Sequence, residues 1–146
     1  IYSPCFGAYA SSKAAVEALS ESLAGEVGQF GIRVSLVEPG VIETPLIDKF
    51  VPRAEPSKYP NYKRLVAYLK TSAANHVPPA TVADMVLTIL SEGHTSFRNP
   101  VGADGAPLLD YRAGVCDEQW IAAGSLDEES WVASMAKLGM DVRKFL

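Results

Sequence analysis

From Tyr9 to Phe30 the apolar residues Val16, Leu19, Leu23, Val27 and Phe30 fall at three- and four-residue steps, and past Gly31 an alternating run, Ile32–Val37, begins at once. Steps of three and four are the period of a helix, and alternation is the period of a strand. Gly31 stands where glycine commonly stops a helix. A long amphipathic helix that turns on one glycine into a strand predicts an α/β fold with a parallel sheet. Pro39-Gly40 then ends the strand. Ligands of such sheets sit beyond the carboxyl ends of the strands, so the loop after Glu38 is where one would be met.

The helix opens with Tyr9-Ala-Ser-Ser-Lys13. Residues four apart share a helical face, so a phenol and an ammonium project side by side. A fixed positive charge favours the anionic form of a neighbouring phenol, and this suits a hydroxyl to acid–base work. Taken alone, the pair is equally a half-buried ring beside a solvated charge. Ala14, Ala18, Ser22 and Gly25 form a second stripe of small residues, compatible with close approach of another helix.

Prolines at 45, 52, 56, 60, 78 and 79 mark an irregular stretch with one helical piece over 61–74. Long ordered connections of this kind are lids or surface excursions. The pattern predicts a helix over 81–92, capped by Thr81 and stopped by Gly93, with Val82, Met85, Val86, Ile89 and Leu90 as its buried face. Phe97–Ala103 suits a short last strand that Pro100 pushes toward a sheet edge. Asp104 and Asp110 fall in a glycine-rich turn. One or two helices follow in 117–146, with Trp120 and Trp131 as packing anchors and Asp127–Glu129 at a helix N-terminus, where negative charge suits the dipole.

Tyr9-Ala-Ser-Ser-Lys13-Ala-Ala, a helix, a strand, and then Pro39-Gly40-Val41-Ile42-Glu43-Thr44-Pro45 together resemble the short-chain dehydrogenase/reductase superfamily. Its members carry Tyr-x-x-x-Lys on a helix and Pro-Gly-x-x-x-Thr after the next strand. The resemblance is strong from Gly7 to Pro45, weaker through 78–90 and 97–104, and fades beyond. It implies the C-terminal part of a Rossmann-like doubly wound parallel sheet with flanking helices. It also implies NAD or NADP as cofactor and a small-molecule carbonyl or secondary alcohol as substrate. Tyr9 would be the acid/base, assisted by Lys13, which would also meet the nicotinamide ribose. Pro39, Gly40, Ile42 and Thr44 would bind the nicotinamide end. The bland alternatives are an ordinary Pro-Gly turn and a Thr44 that caps a helical turn. A non-catalytic binding or oligomerisation module of the same ancestry is the competing reading, and the small-residue stripe and aromatic tail are what favour it.

The family's glycine-rich phosphate motif and its catalytic serine have no counterpart in this sequence, and Ser3 lies too near Tyr9 to be that serine. The chain is therefore expected to be one incomplete domain, the C-terminal portion of a longer protein and inactive alone. Its expected parts are a catalytic helix, strand and cofactor loop (1–44), a substrate lid (45–79), a helix and last strand (80–104) and a helical tail (105–146). Full length, it would be a homo-oligomer through the helix that follows Tyr9. With 48% hydrophobic residues and a net charge of −4, the 146-residue chain suits a folded domain and makes a nucleic-acid backbone an unsuitable partner. No apolar run is long enough to span a membrane. Cys5 and Cys116 have neither metal nor disulfide spacing, and free thiols fit a cytoplasmic setting. His76 and His94 stand apart from any such pattern and take no catalytic role.

Overall fold

A computed structural model describes residues 4–46, 57–91, 93 and 96–146. Helix α1 spans Gly7–Val27 and tightens into a 3₁₀ turn over Gly28–Phe30. Gly31 ends it in the left-handed conformation, φ 72°, which a residue without Cβ adopts freely. Strand β1 is Leu36–Pro39, α2 Asn61–Ala74, α3 Pro79–Ser91, β2 Arg98–Val101, α4 Gly105–Ala113, α5 Asp117–Ala122 and α6 Glu128–Lys137.

β1 and β2 pair in parallel, Leu36 with Arg98 through Pro39 with Val101. The ladder extends at both ends, because the Leu36 amide donates to the Phe97 carbonyl (2.6 Å) and the Gly40 amide to that of Val101 (2.8 Å). Asn99 is buried at 2% exposure, and its amide nitrogen donates to the Leu36, Ser96 and Phe97 carbonyls. One side chain thus closes the open end of the two-stranded sheet. α3 packs across both strands and α4 against β2. Among the described residues the architecture is therefore α/β with a parallel sheet, as the helix–glycine–strand pattern requires.

Four details differ from the sequence reading. The expected strand 32–37 begins only at Leu36, because β2 offers partners from there on and a strand exists only where its backbone is paired. α3 starts at Pro79, whose missing N–H and fixed φ suit a first helical position, so Thr81 lies inside the first turn. Its face is less buried than expected: Ile89 is buried, whereas Val86 and Leu90 are 40% and 69% exposed. The glycine-rich turn at 102–105 is brief, and Asp110 belongs to α4, with Asp104 at its N-cap. Ser3, His94 and much of the expected lid, 47–56, lie outside the described residues.

The principal hydrophobic core includes no residue of the sheet. Ala67 of α2 packs with Trp131, Val132, Met140 and Val142 of the C-terminal segment. Polar ties reinforce this seam. Arg64 donates to the Leu126 carbonyl (2.6 Å) and stacks over the Trp131 ring, Asn61 donates to Gly124, and the Thr71 hydroxyl sits between the Ala67 and Asp141 carbonyls. α2 is thereby anchored on its inner side. By contrast α1 buries only Ala10, and Val16, Leu19 and Phe30 are 54%, 70% and 71% exposed.

Replacing Trp131 by Ala should cost about 3–5 kcal/mol of stability, since it empties the centre of this core. Urea unfolding checks it. Asp127 caps α6, its carboxylate accepting from the Ser130 amide (2.8 Å) and hydroxyl (2.7 Å). The Ser130 hydroxyl, and then its amide, hold the carboxyl below its ordinary value of 3.8. A depressed folded value stabilises above the unfolded one and is lost as pH falls through the folded one. Asp127→Ala should therefore melt below the parent at neutral pH, with a gap that closes as pH drops beneath 3.8.

Candidate functional site

Strand β1 with the loop after it, the first three turns of α1, one side of α2 and Asp104 beyond β2 line a cleft of about 590 Å³. Ligand sites commonly measure about 300–1,000 Å³. Tyr9, Lys13, Pro39, Gly40, Ile42 and Thr44 all line it, so the six residues singled out by motif converge on one space. Phe6, Ala10, Glu38, Val41, Tyr68 and Asp104 are among their neighbours there.

Tyr9 and Lys13 stand one turn apart on α1, with the Lys13 Nζ 5.4 Å from the Tyr9 ring centroid. The Tyr9 ring also stacks on Phe6, centroids 4.5 Å apart. Such stacking restricts a ring's orientation. The helix places the pair at its first two turns because Phe6 accepts the Ala10 amide and buried Ala10 sits between the two side chains in sequence. Tyr9 remains 43% exposed, open toward the cleft.

The loop after β1 is held from below. Ile42 bridges Val77 in parallel fashion, and the Glu43 amide donates to the Val77 carbonyl (3.0 Å). His76 Nε2 lies 3.4 Å from a Glu43 carboxylate oxygen, and its Nδ1 lies 2.6 Å from the Ala73 carbonyl. His76 is therefore a tether of this loop.

Arg98 fixes α1 to the sheet. Its guanidinium reaches Glu17 on α1 (2.9 Å) and Glu38 on β1 (2.7 Å), with Glu21 farther off at 3.9 Å. The hydrogen bond it donates to Glu17, and then that to Glu38, hold the guanidinium above its ordinary pKa against the opposing cost of burial. Glu38 is the more enclosed acid, its side chain 15% exposed.

Tyr68 of α2 is a titratable group that the motifs did not single out. Burial raises its phenol above the ordinary value of 10.0, the Asp104 carboxylate adds to this, and the Ser72 hydroxyl works against both. Arg98, Tyr68 and Asp104 carry no spacing signal to α1 or to the loop, because the sheet brings them there from far along the chain. Among the described residues no group of three or more His, Cys, Asp or Glu side chains could hold a metal ion, and no helix is long and apolar enough to cross a membrane. Cys5 and Cys116 are exposed free thiols.

The family model for short chain dehydrogenases matches residues 1–55, which include the helix and the loop just described. The chain is 32% identical over 106 residues to the uncharacterized oxidoreductase YusZ of Bacillus subtilis (strain 168), covering 68% of this chain and 38% of that protein. It is 32% identical over 126 residues to oxidoreductase BOA17 of Botryotinia fuckeliana (strain B05.10), covering 82% of this chain and 46% of the relative. A third relative, the uncharacterized NAD-dependent oxidoreductase Rv0687 of Mycobacterium tuberculosis (strain ATCC 25618 / H37Rv), is 32% identical over 90 residues, 62% of this chain and 33% of its own. The matched stretch thus spans less than half the length of each of these curated relatives. No solved structure matches. The chain belongs to the short-chain dehydrogenase/reductase superfamily.

Removing the Arg98 guanidinium leaves Glu38 enclosed without its cation. Arg98→Ala should cost about 1–3 kcal/mol, and adding Glu38→Gln should recover part of that loss. Chemical denaturation of the two single variants and the double variant measures the coupling.

Proposed function

We propose that the cleft is the nicotinamide end of the active site of an NAD- or NADP-dependent oxidoreductase acting on a small carbonyl or secondary-alcohol compound. The observation that carries this reading is the convergence of Tyr9, Lys13, Pro39, Gly40, Ile42 and Thr44 on one cavity beside β1, a strand of a parallel pair, and the loop at its carboxyl end. Membership of an oxidoreductase family and a relative named NAD-dependent support it. On this reading β1 and β2 belong to a doubly wound, Rossmann-like sheet, and the exposed apolar side of α1 is covered in the whole protein, a homo-oligomer.

The residues present suit such a group. Gly40 lines the cleft with bare backbone where β1 ends. Pro39 ends the strand, and Ile42 is pinned from behind by Val77, so its backbone is available on the cleft side. Thr44 would offer its hydroxyl to the carboxamide or phosphates, and Lys13 its ammonium to the ribose hydroxyls. When bound, the nicotinamide supplies the hydride chemistry. This chain would supply the proton: Tyr9 gives it to a carbonyl oxygen in reduction and takes it from the hydroxyl in oxidation. Stacking on Phe6 orients the phenol for that exchange, with the Lys13 ammonium 5.4 Å from the ring centroid.

Tyr9→Phe should lower turnover by about 10²–10⁴-fold while leaving dinucleotide affinity intact. Steady-state kinetics with a panel of carbonyl compounds, alongside a nucleotide-fluorescence titration, checks both halves. Near-normal turnover would overturn the assignment. Lys13→Ala should weaken binding and turnover together, and unchanged affinity would count against its ribose contact.

A further inference from the structure

Asp104 stands at the N-cap of α4, a position where an aspartate ordinarily turns back to accept from its own helix. It makes no such bond. Its side chain instead reaches across to the loop after β1, where Oδ1 accepts from the Val41 amide at 3.4 Å. The carboxylate lies directly over Gly40: a methyl group there would overlap Oδ1 and stand 2.7 Å from Cγ. Around it the backbones crowd together through glycines. The Gly40 amide donates to Val101, Gly102 turns at φ 99° with its open face 3.5 Å from Asp104 Oδ1, and a methyl at Gly105 would come within 3.7 Å of the Gly40 nitrogen. The same residue lines the cleft together with Tyr9 and Lys13, and its carboxylate acts on the half-buried Tyr68 phenol of α2.

We propose that Asp104 is a positioning residue of the active site: it clamps the Gly40–Val41 turn from the cleft side and thereby fixes the backbone surface that meets the nicotinamide end of the cofactor. The proposal rests on the dinucleotide reading of the cleft. The identity of position 40 follows from the clamp. Glycine is required there because the carboxylate occupies the volume a side chain would need, and the loop and α4 are fitted to each other as a pair. An asparagine at 104 keeps both the shape and the accepting oxygen, whereas an alanine loses both.

The experiment uses the full-length protein with four variants, Asp104→Asn, Asp104→Ala, Gly40→Ala and Gly40→Ala/Asp104→Ala. NADH and NADPH affinities are read by nucleotide fluorescence, and Val41 amide exchange is read without ligand. Asp104→Ala should weaken dinucleotide binding and speed Val41 exchange by about three- to tenfold, the scale of one lost hydrogen bond. Asp104→Asn should stay within about threefold of the parent on the same scale. Gly40→Ala should bind worst, and adding Asp104→Ala to it should bring affinity back to the level of Asp104→Ala alone, because the obstructing carboxylate is gone. A double variant no better than Gly40→Ala, or Val41 exchange unchanged in Asp104→Ala, overturns the clamp. Should Gly40→Ala fail to fold, the contrast between Asn and Ala at 104 decides the matter by the same two readouts. A parent protein that binds neither nucleotide sinks the dinucleotide reading instead, while Val41 exchange still reports on the clamp itself.

Discussion

Four residues of parallel pairing, Leu36–Pro39 against Arg98–Val101, hold together parts of the chain some sixty residues apart. Each end of that ladder has a distinct consequence. At the amino end, Asn99 donates to the Leu36, Ser96 and Phe97 carbonyls, and Arg98 draws α1 onto the sheet through Glu17 and Glu38. At the carboxyl end, the Gly40–Val101 bond carries the pairing one step further and delivers the loop after β1 to the place where α4 begins. The cleft exists because these two events occur on the same strands, one positioning Tyr9 and Lys13, the other positioning Gly40 to Thr44.

The stabilising mass of the structure lies elsewhere. α2 is fixed by the Trp131–Val142 core and by Arg64 and Asn61, which bond to backbone carbonyls of the C-terminal segment. That division separates two tasks. A well-packed cluster supplies apolar burial, which scales with area and needs no precise polar geometry. The cleft is built from short directional contacts, Asp104 to Val41, Glu43 to Val77 and Arg98 to Glu38, which fix geometry at small net gain. α1 belongs to the second group. It is attached by an ion-pair hub and by Ala10 rather than by its apolar stripe, which faces outward at Val16, Leu19 and Phe30.

Local features of the site were legible in residue order. Tyr9 and Lys13 share a face because of helical period, and Pro39-Gly40 must end a strand because proline lacks a donor and glycine bends freely. The range of α2, the stop at Gly31 and the acidic cap of α6 were legible for equally local reasons. Asp104 was not. In sequence it is one more aspartate in a glycine-rich turn, with the N-cap as its ordinary use, and only the register of β2 against β1 turns it toward Val41. Arg98 and Tyr68 were hidden for the same reason, since their partners lie far away along the chain. The late start of β1 follows as well: Ile32 to Ser35 alternate like a strand, but pairing with β2 begins at Leu36.

Sequence by itself determined the period of α1, its glycine stop, the parallel α/β connection and the membership of Tyr9, Lys13 and the Pro39–Thr44 loop in one family pattern, because each depends on neighbours within a few residues. Tertiary structure decided which residues complete the cleft and how closely they approach. Those outcomes depend on strand register and on close packing between segments some sixty residues apart, as the Val41–Asp104 pair illustrates. A one-residue shift in β2 would turn its side chains to the other face and send Asp104 elsewhere. Composition and local spacing carry no term for that choice.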